Sequence, residues 1–442
     1  MHVLVYSPII TNRLRYITAF AGNQLTGQPF RLTTDQHEFL NETGAKLNYI
    51  ESRLSTDECW IQPHGLLGRS TIEPVAIQCF DADGIPAFFS TAGDFSFDIF
   101  AASFYLLSRY EEYLPHVKDS YGRYAHENAL AYKESFLNRP LVNEWMQTLG
   151  KVIASRFSIS LGYNTAFCFI PTYDIDIAWS FLHKGFWRNF GGLFQSLVKG
   201  KFRQLVDRLT VLTGARPDPF DTYGWMNRLH QIYQVKPYYF FLTAAKTGRY
   251  DKNISPRQRA MVYLIRDHFL RYPVGIHPSW QSGDDDEILL KEIETLSKIT
   301  GKQVLSSRQH YIRLSLPETF RKLLNAGIRF DFSMGYGSIN GFRASVATPF
   351  YWYDLEKEVQ TDLLLFPFCF MEANSYYEQK LSAEQALAEM RHYFAVTKAV
   401  NGYMIMIWHN HFFGSDPLFA GWKEAYETIV KEISSSISEA GA

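Results

Sequence analysis

Seven short apolar runs follow one another from about Thr165 to the C-terminal region, each separated from the next by a stretch long enough to hold a helix. The runs are 166–173, 238–243, 274–277, 303–307, 328–332, 363–371 and 402–408; the helical stretches between them include 224–234, 256–271, 286–300, 317–326 and 382–400. Strand–helix alternation of this kind implies a parallel sheet, and seven or eight such units imply a (β/α) barrel. The ends of the runs narrow the reading further. The first stops at Asp174-Ile175-Asp176 and the third at His277; the fourth passes into Arg308-Gln309-His310 and the fifth holds Asp331. The sixth ends at Glu372 and the seventh at His409-Asn410-His411. Barrel active sites lie at the C-terminal ends of the strands, so ionisable groups at six of seven ends are expected to converge on one mouth.

The chain before this region reads as a separate mixed α/β domain, giving an expected division into 1–160 and 161–442. Residues 3–6 are a short apolar strand, and 78–81 with 86–90 form a strand pair around Asp83-Gly84. Residues 98–113 repeat apolar or aromatic side chains at helical spacing before Leu114-Pro115, and 141–157 is a second helix. At 442 residues, 46% hydrophobic and 20% charged, the chain is long enough for two packed domains. A formal net charge of -1 gives no electrostatic case for nucleic acid. The four cysteines are far apart and form no C-x-x-C pair, so disulfides are not expected. Neither nucleotide-binding glycine fingerprint is present. The start, Met1-His2-Val3-Leu4-Val5-Tyr6, has no basic region followed by a long apolar stretch, and no window has the length of a membrane helix. A cytoplasmic location is the default expectation.

Asp174 and Asp176 lie two apart, hence on one side of an extended segment. Two carboxylates so close repel when both are ionised, and a site that keeps both holds a cation or shares a proton. His277 precedes Pro278, which biases it toward extended backbone. Zn²⁺ and similar ions favour imidazole nitrogen with carboxylate oxygen, and a catalytic ion needs about three protein ligands plus an open position. Asp176, His277 and His310 are the set these residues assemble. A histidine titrates near neutrality, which suits His409, or in its place His411, to protonating a leaving nitrogen.

These stations, in this order, resemble the NodB-homology domain of the polysaccharide deacetylases, carbohydrate esterase family four. Thr172-Tyr173-Asp174-Ile175-Asp176 resembles the family's first motif with one residue inserted between its acids. His277 matches the second motif, but Gln281 stands where a second histidine is expected, and His310 would supply the missing ligand. Arg308 resembles the arginine motif, Phe330-Asp331-Phe332-Ser333 the fourth, and Ile407-Trp408-His409 the last. The segments 97–104 and 109–113, with Ser333-Met334-Gly335-Tyr336 and Gly341-Phe342-Arg343, resemble bacterial, especially Bacteroidetes, deacetylase-like proteins with an extra N-terminal domain.

The resemblance implies a metal-dependent hydrolase, with zinc the expected ion, that removes an N-acetyl group from an acetamido sugar or glycan precursor. It makes Asp174 the catalytic base and Asp176 a metal ligand, and it adds Asp331 to the catalytic set. Arg308 would orient Asp174, and Arg343, Trp280 and Glu372 would contact substrate. Two other functions remain open on the sequence: a non-catalytic carbohydrate-binding or scaffold protein on a deacetylase-like barrel, and a different amide or ester hydrolase.

Overall fold

The computed structural model describes residues 2–161 and 165–440. In the first part, β1 (Leu4–Tyr6), β2 (Arg31–Thr33), β3 (Lys46–Asn48) and β4 (Cys59–Trp60) form a parallel sheet in the order β2-β1-β3-β4. Only the first of these strands was expected from the sequence. The helix Asn12–Thr26 connects β1 to β2. Thr11 Oγ1 accepts the Leu14 N–H at its start, and Gly27, at φ 75°, ends it in the left-handed conformation. Its Leu14, Ile17, Ala21 and Leu25 are buried at helical spacing.

β5 (Phe80–Ala82) and β6 (Ile85–Ala87) are the antiparallel pair expected around Asp83-Gly84, both of which have positive φ. The helix expected over 98–113 is shorter. Asp98 caps Ile99–Leu107, and Arg109 at φ 54° breaks it before a separate turn, Tyr110–Tyr113. The helix Leu141–Phe157 forms as expected.

The remaining strands make one nine-stranded sheet. They are β7 (Cys168–Ile175), β8 (Tyr238–Leu242), β9 (Val274–His277), β10 (Ser306–Ser307), β11 (Phe330–Asp331), β12 (Phe350–Asp354), β13 (Val359–Leu365), β14 (Phe370–Met371) and β15 (Tyr403–His409). Their order is β12-β13-β11-β10-β9-β8-β7-β15-β14, and every pair is parallel except β12 with β13. The run read as a single strand over 363–371 is two strands, β13 and β14, parted at Phe366-Pro367. Proline has no N–H to give a ladder. β12 was not expected.

The sheet is strongly curled. Arg308, just past β10, donates to Thr172 Oγ1 at 2.5 Å and to Asp174 Oδ1 at 3.1 Å, both on β7, three places away. In a flat sheet these strands would lie about 14 Å apart. The concave side encloses its own buried cluster, with Phe240, Phe332, Phe368, Ile405 and Ile407, while Met404, Met406 and Trp408 of β15 join the main core outside. Gly275 permits this closure, because a Cβ there would lie 2.6 Å from the Phe240 ring and 2.8 Å from the Ser306 carbonyl oxygen. Between β14 and the segment after β11, Phe368 N–H donates to the Met334 carbonyl and Gly341 N–H to that of Cys369. No helix of the described residues is long and apolar enough to cross a membrane.

Candidate metal centre and active site

The C-terminal ends of the parallel strands meet at a cavity of about 420 Å³ whose wall includes Asp174, Asp176, His277, His310, His409 and His411. Period-two alternation along β7 turns Thr172, Asp174 and Asp176 to one side. The ladder sets His409 of β15 beside Asp174, and His277 of β9 beside Leu242 of β8.

Asp176, His277 and His310 each aim a possible ligand atom at the same point, with these atoms all within 4.8 Å of one another. His277 Nε2 lies 3.0 Å from Asp176 Oδ1, and His310 Nε2 lies 3.4 Å from Asp176 Oδ2. The partners of the other ring nitrogens fix the tautomers. His277 Nδ1 is 2.5 Å from the Arg308 carbonyl oxygen, which can only accept, so Nδ1 carries the proton. His310 Nδ1 is likewise 3.0 Å from Asp251 Oδ1. In the neutral rings both Nε2 lone pairs therefore face a carboxylate. Asp176 Oδ1 is buried with no aligned donor among the described residues, despite its contact with His277. Three acceptors turned on one another, each histidine held from behind, suit a bound cation.

The electrostatics agree. Burial alone would raise the Asp176 carboxyl, but His310 and His277 outweigh it and hold the group well below its ordinary value. Burial would depress His310, but Asp176 and Asp251 lift it to about 9. Such mutual stabilisation of opposite charges marks a place where positive charge is favoured.

Two further pairs flank this triad. Asp174 is buried; its Oδ1 accepts from Arg308, and its Oδ2 lies 3.7 Å from His277 Nε2. Arg308 also donates through Nε to the Phe332 carbonyl and stacks over the Phe240 ring. Opposite, Glu372 Oε1 accepts both the backbone N–H and the Nδ1 of His409, at 2.7 and 2.5 Å. His409 Nε2 is then directed at Asp176 Oδ2, 3.4 Å away. Burial would depress this imidazole, yet Glu372 and Asp176 raise it well above its ordinary value. His411 packs among Phe220, Phe412 and Phe419, and burial, then His409, pushes it down to about 3.

Other expected residues stand elsewhere. Glu372, expected to contact substrate, is fully buried behind His409, where its Oε1 takes both His409 donors and its Oε2 has no hydrogen-bond partner among the described residues. Trp280 stands one layer back, stacked 4.0 Å on Tyr250, which does line the cavity. Asp331 is buried beneath the site and accepts from Ser307 and Ser333; burial lifts its carboxyl to about 6. Arg343 is not at the cavity. It is buried against the N-terminal half, where Nε and Nη2 clasp Glu112 at 2.8 and 2.5 Å, and Arg109 joins the same carboxylate. Arg343 Nη1 donates to the Gly335 carbonyl at 3.0 Å, so each of its three guanidinium nitrogens has a protein partner. Gln281 is exposed in a short turn, outside the cluster.

Sequence reasoning missed three contributors. Asp251, on the loop after β8, holds His310; the second run was the one whose end carried no ionisable residue, and that gap was the available signal. Tyr121 and Arg123 come from the N-terminal half and line the cavity. Arg123 donates to the Tyr311 carbonyl at 2.6 Å. Tyr311 and Ile312 both have positive φ, a conformation especially unfavourable for β-branched Ile312, so this contact braces strained backbone next to His310.

Comparison with known proteins adds the following. Residues 3–158 match the model of a family of unknown function, DUF7033. No curated protein matches the chain. Among solved structures, a putative polysaccharide deacetylase from Mycobacterium smegmatis is similar at 12% identity and a TM-score of 0.40, over 62% of this chain and 86% of that one. The Puue allantoinase is similar at 12% identity and a TM-score of 0.39, over 61% and 84%. A probable polysaccharide deacetylase from Pseudomonas aeruginosa PAO1 gives 13% identity and a TM-score of 0.38, over 60% and 84%.

Proposed function

We propose that the chain is a metal-dependent hydrolase that removes the N-acetyl group from an acetamido sugar or glycan precursor. The observation that carries this reading is the convergence of Asp176, His277 and His310 between a buried arginine-held carboxylate, Asp174, and a carboxylate-held imidazole, His409. The curled sheet serves in this reading as a barrel of NodB type, with 161–442 the catalytic domain. Residues 1–160 form a second domain that lends Tyr121 and Arg123 to the cavity, and its segments 97–104 and 109–113 resemble the extra N-terminal domain of the deacetylase-like group.

A divalent ion, zinc by its preference for this donor set, would be held by Asp176, His277 and His310 and would supply Lewis acidity toward an amide carbonyl and an acidified water. Asp174 takes the proton of the attacking water, and Arg308 fixes which of its oxygens stays free to do so. His409 gives its Nε2 proton to the departing amine, and Glu372 keeps the ring charged and oriented until then. Tyr121, Tyr250, Tyr311 and Tyr377 offer flat faces and hydroxyl groups for a sugar ring.

Elemental analysis of the purified protein, with Asp176→Asn and His277→Ala alongside, tests the reading. Near-stoichiometric divalent metal in the wild type and little in either variant is the expected result. Full metal in both variants refutes the ligand set. Tightly bound metal with no acetate released from any N-acetylated sugar would favour a carbohydrate-binding protein that has lost catalysis.

A further inference from the structure

Between β7 and β8 the chain makes three helices, Gly185–Val198, Phe202–Leu212 and Tyr223–Ile232, and the first two form a pair that leaves most of its large apolar side chains exposed. Polar groups point inward: Asn189 and Ser196 are buried, Asn189 donates to the Phe181 carbonyl, and Arg208 donates to Asn189 Oδ1. Apolar groups point outward, with Trp187 81% exposed and Phe186, Phe190, Phe194, Leu197 and Phe202 all more than half exposed. Ten of the 25 large apolar residues exposed among the described residues fall between 186 and 212. A cluster of that density marks a surface that something covers.

Charge identifies the cover. Between 184 and 216, seven lysines and arginines meet a single acid, Asp207, in a chain of net charge -1; Arg188 and Arg208 are held by protein acceptors, and Lys199, Lys201, Arg203 and Arg216 stand exposed. Two copies of this face would repel each other, whereas an anionic phospholipid surface matches both its charge and its aromatic, apolar stripe. The longer helix has 14 residues, about 21 Å of rise, too short to cross a hydrocarbon layer of about 30 Å. It can lie only in the interface.

We infer that this helical pair docks the protein on an anionic lipid bilayer. The pair is rooted at the cavity: Arg188 donates to the carbonyls of Lys252 and Asn253, and Lys252 lines the cavity wall. A docked protein therefore holds its cavity beside the lipid headgroups. If the deacetylase reading holds, the substrate reached there is a sugar carried on a lipid; the docking itself does not depend on that reading.

Flotation of the full chain with vesicles of phosphatidylcholine, with and without phosphatidylglycerol, tests the inference. The protein should float with the mixed vesicles, not with pure phosphatidylcholine, and should be released by salt. Trp187→Ser/Phe190→Ser/Phe194→Ser should abolish flotation. Lys199→Glu/Lys201→Glu/Arg203→Glu should weaken it by roughly a hundredfold or more, at about fivefold for each basic residue removed. Metal content should be unchanged in both triple variants, which separates failure of docking from failure of the catalytic reading. Absence of flotation, equal binding to neutral vesicles, or undiminished binding of the serine variant would each overturn the inference. So would a wild-type dimer that the serine variant converts to monomer without any vesicle binding, since a second copy would then be the cover.

Discussion

Asp251 makes no contact with the cavity in its assigned role, yet the account requires it for metal binding. Its Oδ1 accepts from His310 Nδ1 at 3.0 Å and from the Trp280 N–H at 2.9 Å, in a buried position. Asp251→Asn keeps the shape and one acceptor oxygen but removes the charge. A hydrogen bond to a charged group contributes about 1.5–3 kcal/mol, against about 1 kcal/mol for a neutral pair. The difference, about 0.5–2 kcal/mol, is carried by the His310 ring, whose Nε2 becomes less basic and less firmly aimed. That corresponds to roughly 2- to 30-fold weaker metal affinity, overlapping the ~10–100-fold seen when a metal-bound histidine loses its supporting partner. Competition of the apoprotein with a chromophoric chelator for Zn²⁺ measures this directly, and a thermal melt checks that the variant folds. Asp251→Ala should lose more, because it also strands the Trp280 N–H. Unchanged affinity in a folded Asp251→Asn protein would refute the reasoning, since His310 would then owe neither its tautomer nor its position to Asp251.

Asp174→Asn should retain the metal and lose about 10²–10⁴-fold in turnover, the usual range for loss of a general base, while Asp176→Asn should lose the metal itself; elemental analysis with acetate release separates the two, and the opposite pattern reverses the assignment. Asp331 is lifted to about 6 by burial, above an unfolded value of about 3.8. The folded state therefore binds a proton that the unfolded chain has released, so stability should fall as pH rises from about 4 to about 6, and urea unfolding of Asp331→Asn should lack that limb. For Glu112, burial alone would raise the carboxyl, but Arg343 and then Arg109 outweigh it and hold it at about 2. Arg343→Ala, which leaves this buried carboxylate with half its partners, should cost about 3 kcal/mol in urea unfolding without changing Zn²⁺ affinity; an affinity change at constant stability would return Arg343 to the site.

Where structure follows from local pattern, the residues disclose it. The 141–157 helix, the turn at Asp83-Gly84 and the end of β9 at His277 are all legible, because helical periodicity, left-handed turn residues and a strand that stops at a polar group act over a few positions. The polar strand ends gathering at one cavity was legible for the same reason. Asp251 was not, because a loop residue carries no periodic signal and its role appears only when the loop folds over His310. Arg343 misled for a related reason: an arginine after Gly341-Phe342 looks the same whether its partner is a substrate or Glu112, 231 residues away. Glu372 sits where a strand-end acid was expected, but which way it faces depends on where β15 places His409. The division of 363–371 into two strands follows from Pro367, which the apolar run concealed.

The central claim is that this site cleaves the amide of an N-acetylated sugar by metal-assisted attack of water. Acetate release by the zinc-loaded protein, assayed across a panel of free, nucleotide-linked and lipid-linked N-acetylated sugars, tests it most directly. The account predicts acetate from at least one of them, lost on chelation, restored by zinc, and absent in Asp174→Asn protein that still holds its metal. Acetate production that survives both chelation and Asp174→Asn, or none from any substrate with the metal site filled, would contradict it.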